Sequence, residues 1–306
     1  MQAILGSTGA IGTELAKELT EYTSNIRLVS RNPIKINEND ELVSADLLNP
    51  QQTDNAVKGS EVVYLIVGLK YDHKVWRKSW PVIMRNVIDA CKKHNARLVF
   101  FDNMYMYDPN HLFKMDENTP VNPVSQKGEV REEIATMLME EAGKGELHAL
   151  IARAADFMGP KNSIPAELIY KNLNKGKKAM WMVDVTKVHN FTNVRDAAKG
   201  TAMLGNTSEA YNQVWHLPTD STELTMKQWI ELIAKELNKK PSYSILSRGM
   251  MGLVGLFNTT VKEMKEMSYQ NDRDYLFTSD KFNKKFNYTP MPPEQSVRYV
   301  KEALGL

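Results

Sequence analysis

The sequence predicts an α/β chain: a doubly wound parallel sheet covered by helices on both faces, followed by a smaller, mainly helical part. Two observations predict it. Short, near-continuously apolar runs alternate with stretches of helical apolar spacing over residues 1–158, the pattern of strands buried on both faces. Beyond that point the alternation loosens, Gly159, Pro160 and Pro165 mark a boundary, and helix signals dominate. The expected organisation is therefore a first domain over 1–158, onto which 186–216 packs back, and a second domain over 159–306.

Each element has its own warrant. "QAILG" (2–6) is a short apolar strand, and "TELAKELTEY" (13–22) carries Leu15, Leu19 and Tyr22 at helical spacing. "NIRLVSR" (25–31) is a second strand, and "EVVYLIVGL" (61–69) is a third, after a polar helix-like stretch. A long helix is predicted over 74–94 with Val75, Val82, Ile83, Val87, Ile88 and Cys91 facing inward. "ARLVFFDN" (96–103) is the fourth strand, and "LHALIARAADF" (147–157) contains the fifth. In the second part, "TMKQWIELIAKELNKK" (225–240) and "PPEQSVRYVKEALGL" (292–306) read as helices. "GMMGLVGLFN" (249–258) is expected to be a buried or lid helix, and "VKEMKEM" (261–267) a helix with solvated charges and inward methionines.

Composition narrows the function classes. The chain has 306 residues, 42% hydrophobic and 25% charged, which are ordinary globular values. With 39 basic and 37 acidic residues, the net charge of +2 steers the protein toward neither nucleic acid nor anionic membrane. No uncharged apolar run approaches the ~18 residues that span a bilayer. No signal peptide precedes the first strand, and the single cysteine, Cys91, excludes an intrachain disulfide. A cytoplasmic location is expected on these grounds. The six histidines (73, 94, 111, 148, 189, 216) form no HExxH pair and have no cysteine nearby, so no metal site is expected. A GxSxG elbow is also missing.

The chemistry begins at "GSTGAIG" (6–12). Gly6, Gly9 and Gly12 lie between the first strand and the first helix. There one glycine permits the tight turn, one lets a pyrophosphate approach the backbone, and one lets the helix pack on the strand. Gly6, Thr8, Gly9, Ala10, Ile11 and Gly12 are thus the expected cradle of a dinucleotide, whose phosphates face the helix amides. At the end of the second strand, where an NAD site usually places a carboxylate, stand Ser30 and Arg31, with no acid until Glu38. A guanidinium there favours a 2′-phosphate by ~1.5–3 kcal/mol, roughly tenfold to 150-fold. NADP is therefore the expected cofactor, with NAD as the alternative.

With these residues in place, the sequence resembles the extended short-chain dehydrogenase/reductases, often described as the NAD-dependent epimerase/dehydratase family, as an atypical member. "GSTGAIG" is similar to their GxxGxxG loop, and Asp46 and Leu47 in "SADLLNP" (44–50) match the pair beside the adenine. "VVYLIVG" (62–68), with Val67 and Gly68, resembles the strand leading to the cofactor, and Asn86 in "MRNVIDAC" matches a common helix asparagine. "RAADFMGP" (153–160), "FTNVRDAAKG" (191–200) and "SDKFNKKFNYTPMPPEQSV" (279–297) resemble later family segments. The resemblance implies a Rossmann-type domain with a substrate domain and, by analogy, a homodimer through two long helices.

The catalytic positions depart from the family pattern. Its proton donor is a tyrosine four residues before a lysine on one helix, so that the ammonium lowers the phenol's pKa. Lys127 matches the lysine, but Pro123 stands at the tyrosine, and Asn122 with Pro123 is read as an N-cap pair. Asn103 stands at the family's Ser/Thr, and Tyr107 at a structural tyrosine. The resemblance then implies Tyr105 as relocated donor, Asn103 as hydrogen-bond donor to a carbonyl oxygen, and Lys127 on the nicotinamide ribose. Asp156, Trp181 and Phe191, the last two in "KKAMWMVDVTKVHNF" (177–191), are expected to line a substrate pocket, with His189 structural. The leading expectation is an NADP-preferring oxidoreductase that transfers a hydride between nicotinamide and a small carbonyl or enone. The alternatives are a redox-neutral sugar-nucleotide epimerase/dehydratase that holds NAD and a non-catalytic dinucleotide-binding regulator.

Overall fold

The protein is described by a computed structural model of residues 1–306. Strands β1 (Gln2–Leu5), β2 (Ile26–Ser30), β3 (Glu41–Ser44), β4 (Val62–Leu65), β5 (Arg97–Asp102) and β6 (Ala149–Arg153) form its first part. Between them run helices α1 (Ala10–Glu18), α2 (Pro50–Val57), α3 (His73–His94) and α4 (Gln126–Gly143). There follow β7 (Phe157–Met158), α5 (Lys171–Asn174), β8 (Ala179–Met182), β9 (Thr192–Asn193), α6 (Val194–Gly205) and β10 (Val214–His216). The chain closes with α7 (Met226–Glu236), β11 (Tyr243–Leu246), α8 (Arg248–Gly255), α9 (Thr259–Glu266), α10 (Asp280–Phe286) and α11 (Pro293–Ala303).

Two compact units result. The first comprises 1–106, 126–154 and 197–217, and the second 107–125, 155–196 and 218–306. Residues 186–196 fall in the second unit and 197–216 in the first, while 107–125 belongs to the second.

In the first unit, seven strands form one parallel sheet in the order β10-β6-β5-β4-β1-β2-β3. The order reverses between β1 and β4, and in such sheets the crevice at the carboxyl ends of the strands at that switch receives ligands. Helix α3 starts because the Asp72 side chain accepts the Lys74 and Val75 N–H groups, at 2.9 and 3.4 Å. Lys92, Lys93 and His94 meet the negative end of its dipole, and Asn95, at φ 53°, terminates it. Its inner face carries Trp76, Trp80, Ile83, Met84, Val87, Ile88 and Cys91, which pack with Leu65, Leu98, Phe100 and Ile151 of the sheet. Each such large side chain contributes ~1.5–3 kcal/mol by leaving water. Val82, expected inward, is 43% exposed because it falls outside this i, i+3, i+4 series.

Other expectations shift at the edges. Helix α1 begins at Ala10, not Thr13, so Gly12 lies inside it. The sheet also contains β3 and β10, which the apolar runs did not announce. β3 is an edge strand of four residues with only Val43 half-buried.

The second unit is built around Met158, Tyr170, Trp181, Phe191, Trp229, Ile230, Ile233, Val297 and Val300. Small parallel pairs β8–β11 and β7–β9 frame this core. Helix α7 opens with a capping box between Thr225 and Gln228. The 249–258 stretch, expected as a buried or lid helix, is not a buried one: Leu253 on α8 and Leu256 and Phe257 just after it are 69%, 74% and 94% exposed. On α9 the charged face is not wholly solvated, since Glu263 is buried. No helix is long and apolar enough to cross a membrane.

Candidate active site

The glycine loop joins β1 to α1 at the sheet's switch point. Gly6 adopts φ +102°, and a Cβ there would lie 2.8 Å from the Val67 backbone beyond β4. A Cβ at Gly12 would lie 2.8 Å from Gly6 O and from Ser7, so helix and strand approach too closely for any side chain. Gly9 differs. A Cβ at that position meets only Gly6 O, at 3.5 Å, so the protein's own packing tolerates it. Gly9 is also the N-cap of α1, which has no side-chain cap and no acid in its first turn. The loop thus presents open space and an uncapped helix N-terminus where an anion is favoured.

The neighbouring expected residues occupy the same edge of the sheet. Thr8 is exposed, Ala10 half-buried and Ile11 buried. Ser30 ends β2 with a buried Oγ that has no hydrogen-bond partner, and Arg31 beyond it is exposed. Asp46 accepts the Leu48 N–H at 3.1 Å, and the buried Leu47 offers its carbonyl to Asn86 Nδ2 at 2.8 Å. That bond ties the loop after β3 to α3. Val67 is half-buried and Gly68 exposed, with nothing within 4 Å of a Cβ at Gly68.

Lys127 lies in the first turn of α4 and is fully buried. The helix starts at Gln126, so Asn122 and Pro123 are not its cap. Instead the Asn122 amide donates to Asp108 at 3.3 Å. The Lys127 ammonium sits 4.8 Å from the centre of the Tyr71 ring, which belongs to the loop between β4 and α3. Tyr71 meets Trp76 edge-on at 5.9 Å, and Trp76 stacks on Tyr105 at 6.3 Å. Tyr105, the expected donor, is therefore set against Trp76, and the ring beneath the ammonium is that of Tyr71. Asn103 Oδ1 accepts the Tyr105 N–H at 3.1 Å, which leaves its amide NH₂ as the group able to donate onward.

One turn past Lys127, Arg131 is buried over Trp80 at 4.3 Å and Trp76 at 4.8 Å. Its guanidinium also lies 3.4 Å from the Asp102 carboxylate, which Arg153 Nε reaches at 3.1 Å. Burial pushes the Arg131 guanidinium down from its ordinary range, while Asp102 opposes the shift. Sequence reasoning missed Tyr71, Trp76, Asp102 and Arg131. Only Arg131 left a signal, its i+4 spacing from Lys127.

In the second unit, His189 Nε2 pairs with the partly exposed Asp156 at 3.1 Å. Its ring stacks on Tyr275 at 4.1 Å, with 4° between the planes, and Trp229 Nε1 donates to its backbone carbonyl at 2.7 Å. Trp181 and Phe191, expected to line a pocket, are 1% and 6% exposed and belong to the unit's core. Their rings pack edge-on at 6.2 Å, leaving Asp156 as the open polar group of the three.

The sequence profile of the NAD dependent epimerase/dehydratase family matches residues 3–215. No protein of curated function matches the chain. Among solved structures, it is similar to UDP-glucuronic acid 4-epimerase from Bacillus cereus in complex with NAD. That match has TM-score 0.78 and 15% identity, covering 99% of this chain and 100% of the other. It is also similar to UDP-glucose 4-epimerase from Thermus thermophilus in complex with NAD, with TM-score 0.79, 13% identity and coverage of 100% and 99%. A third likeness is to a Bordetella bronchiseptica enzyme in complex with NAD+, with TM-score 0.75, 17% identity and coverage of 100% and 99%. At these identities the likeness establishes the fold: a Rossmann-like parallel sheet with a helical C-terminal part.

Proposed function

Because the chain belongs to the NAD dependent epimerase/dehydratase family, we propose that it is an enzyme of the extended short-chain type. It binds a nicotinamide dinucleotide and acts at an oxygen-bearing carbon of a sugar-nucleotide-like substrate without net redox change. The observation that carries the reading is the glycine loop. Gly6 and Gly12 are demanded by the protein's own packing, whereas Gly9 is not, and the space it leaves faces an uncapped helix N-terminus. That donor set and that space fit a pyrophosphate. The epimerases similar in fold, which carry NAD, favour redox neutrality.

The dinucleotide, when bound, supplies a reversible hydride acceptor. The chain's residues do the rest. The loop from Gly6 to Gly12 and the first amides of α1 hold the phosphates, and Ser30 and Arg31 meet the adenosine side. The Asp46–Leu47 loop, fixed by Asn86, borders the adenine, with Val67 and Gly68 at the mouth of β4. Lys127 stands at the end of α4 nearest the aromatic cluster and compensates negative charge developing there. Asn103 donates to the substrate oxygen.

A second reading has a specific observation behind it. Arg31 replaces the usual acid, and Pro123 replaces the family tyrosine; both favour net reduction of a small carbonyl or enone by NADPH. One experiment separates the readings: equilibrium titration with NADH and NADPH, followed by incubation of the protein and NAD with UDP-hexoses and product analysis. Epimerised or dehydrated product without net change in nicotinamide absorbance supports the first reading. Stoichiometric oxidation of NADPH by a carbonyl compound supports the second. Failure to bind either dinucleotide refutes both.

A further inference from the structure

We propose that Tyr71 is the proton donor of this site, activated by Lys127; the assignment rests on the enzymatic reading above and names the acid that reading leaves open. The Lys127 ammonium is fully buried and lies 4.8 Å from the centre of the Tyr71 ring. A phenolate spreads its negative charge into the ring, so a cation over that face stabilises the ionised form more than the neutral one. Burial of the ammonium strengthens this preference, since little water screens the pair. Tyr71 itself is only partly buried and sits on the loop that leaves the carboxyl end of β4, beside the switch point. A buried cation over the ring of a partly buried tyrosine, at a ligand-receiving edge, suits a general acid.

Tyr105 is held differently: its ring stacks on Trp76, and its electrostatic influence falls on Arg131. The charged and titratable groups around Tyr71 include Lys127 from α4, Arg131 behind Trp76, Tyr105 after β5, Lys70 and Asp72 on its own loop, and His73 at the start of α3. Lys70 and Asp72 are 4.0 Å apart and offset one another, and the Lys127 ammonium lies over the ring. In the proton step, the Tyr71 O–H bond breaks as a new O–H bond forms on the substrate oxygen. The charge left on the phenolate is balanced by the ammonium. In the opposite direction the phenolate takes the proton from a substrate hydroxyl.

The test needs no substrate. Tyrosinate absorbance is followed during pH titration of the wild type, Tyr71→Phe, Tyr105→Phe and Lys127→Met, with NADH binding measured on each. One tyrosinate equivalent is expected below about pH 9, at least one unit under the ordinary phenol value of ~10. It disappears in Tyr71→Phe, persists in Tyr105→Phe and moves up by one unit or more in Lys127→Met. Tyr71→Phe keeps the ring on which Lys127 and Trp76 pack, so it decides the matter even if Lys127→Met does not fold. A wild type without the early equivalent, or its persistence in Tyr71→Phe, overturns the proposal. Loss of dinucleotide binding in the wild type refutes the enzymatic reading instead, and the titration still reports on Tyr71.

Discussion

The carboxylate of Asp102 and the guanidinium of Arg153 pair at 3.1 Å at the carboxyl ends of β5 and β6, and both residues are buried. Arg131 approaches the same carboxylate at 3.4 Å, so one buried acid serves two buried guanidiniums. The aromatic faces of Trp76 and Trp80 carry part of the surplus charge. Removing the acid takes the carboxylate away from two buried guanidiniums. Asp102→Asn is expected to cost about 3–5 kcal/mol, read from the urea midpoint, because an unpaired buried charge is far worse than a missing pair. The double variant Asp102→Asn/Arg131→Met should recover part of that loss. Equal stability of the two variants would show that Arg131 is compensated elsewhere.

Gly9 and Gly12 should separate folding from ligand binding. Gly12→Ala forces a Cβ to within 2.8 Å of backbone atoms on two residues, so the helix must move off the strand. A loss of roughly 1–3 kcal/mol of stability is expected, as for other overpacked sites. Gly9→Ala meets only an ordinary 3.5 Å contact and should leave the melting temperature nearly unchanged. Its dinucleotide affinity should nevertheless fall by about tenfold or more, since the methyl occupies the anion's approach. Unaltered affinity in Gly9→Ala would place the dinucleotide elsewhere.

Arg31 tests cofactor choice. Its side chain is exposed at the end of β2, next to the buried and unpartnered Ser30 hydroxyl. If it meets a 2′-phosphate, Arg31→Ala should weaken NADPH by roughly tenfold to 150-fold and leave NADH within about twofold. Equal losses for both dinucleotides would assign Arg31 no part in discrimination. Tighter NADH binding by the wild type would bring this chain into line with the NAD-bound structures it resembles in fold.

How much of this was legible in the sequence follows from the range of each interaction. Gly6, Gly9 and Gly12 act within one turn of chain, so their spacing alone announces the loop. Lys127 could be placed by resemblance, because a helix and a motif surround it. The Tyr71 ring could not, since the β4–α3 loop and the start of α4 meet only when the sheet is assembled. The same holds for Asp102, Arg131 and Arg153, whose charges lie on β5, α4 and β6. Leu253, Leu256 and Phe257 misled in the opposite direction. Apolar residues are usual in cores, but an apolar run does not compel burial, and here the run stands open to solvent.

Glu141 gives the first unit a specific acid sensitivity. Its carboxylate accepts hydrogen bonds from Lys144 at 2.8 Å, Lys92 at 3.0 Å and Arg85 at 3.3 Å. Led by Lys144 and then Lys92, these cations hold its pKa down at about 2 against the opposing pull of desolvation. Because the folded value lies below the unfolded one of ~4.3, the contribution is fully present above that pH. It is lost as pH falls from there toward about 2. Lys144 and Arg85 are 60% and 45% exposed, so solvent and salt screen the network and its effect is modest. Glu141→Gln should therefore be less stable than the wild type near neutrality. The difference in urea midpoint should shrink between about pH 4.5 and pH 2, and added salt should narrow it at neutral pH. Parallel stability curves across that window would mean that Glu141 keeps its unfolded-state proton affinity, and that the three cations serve only to anchor the end of α4.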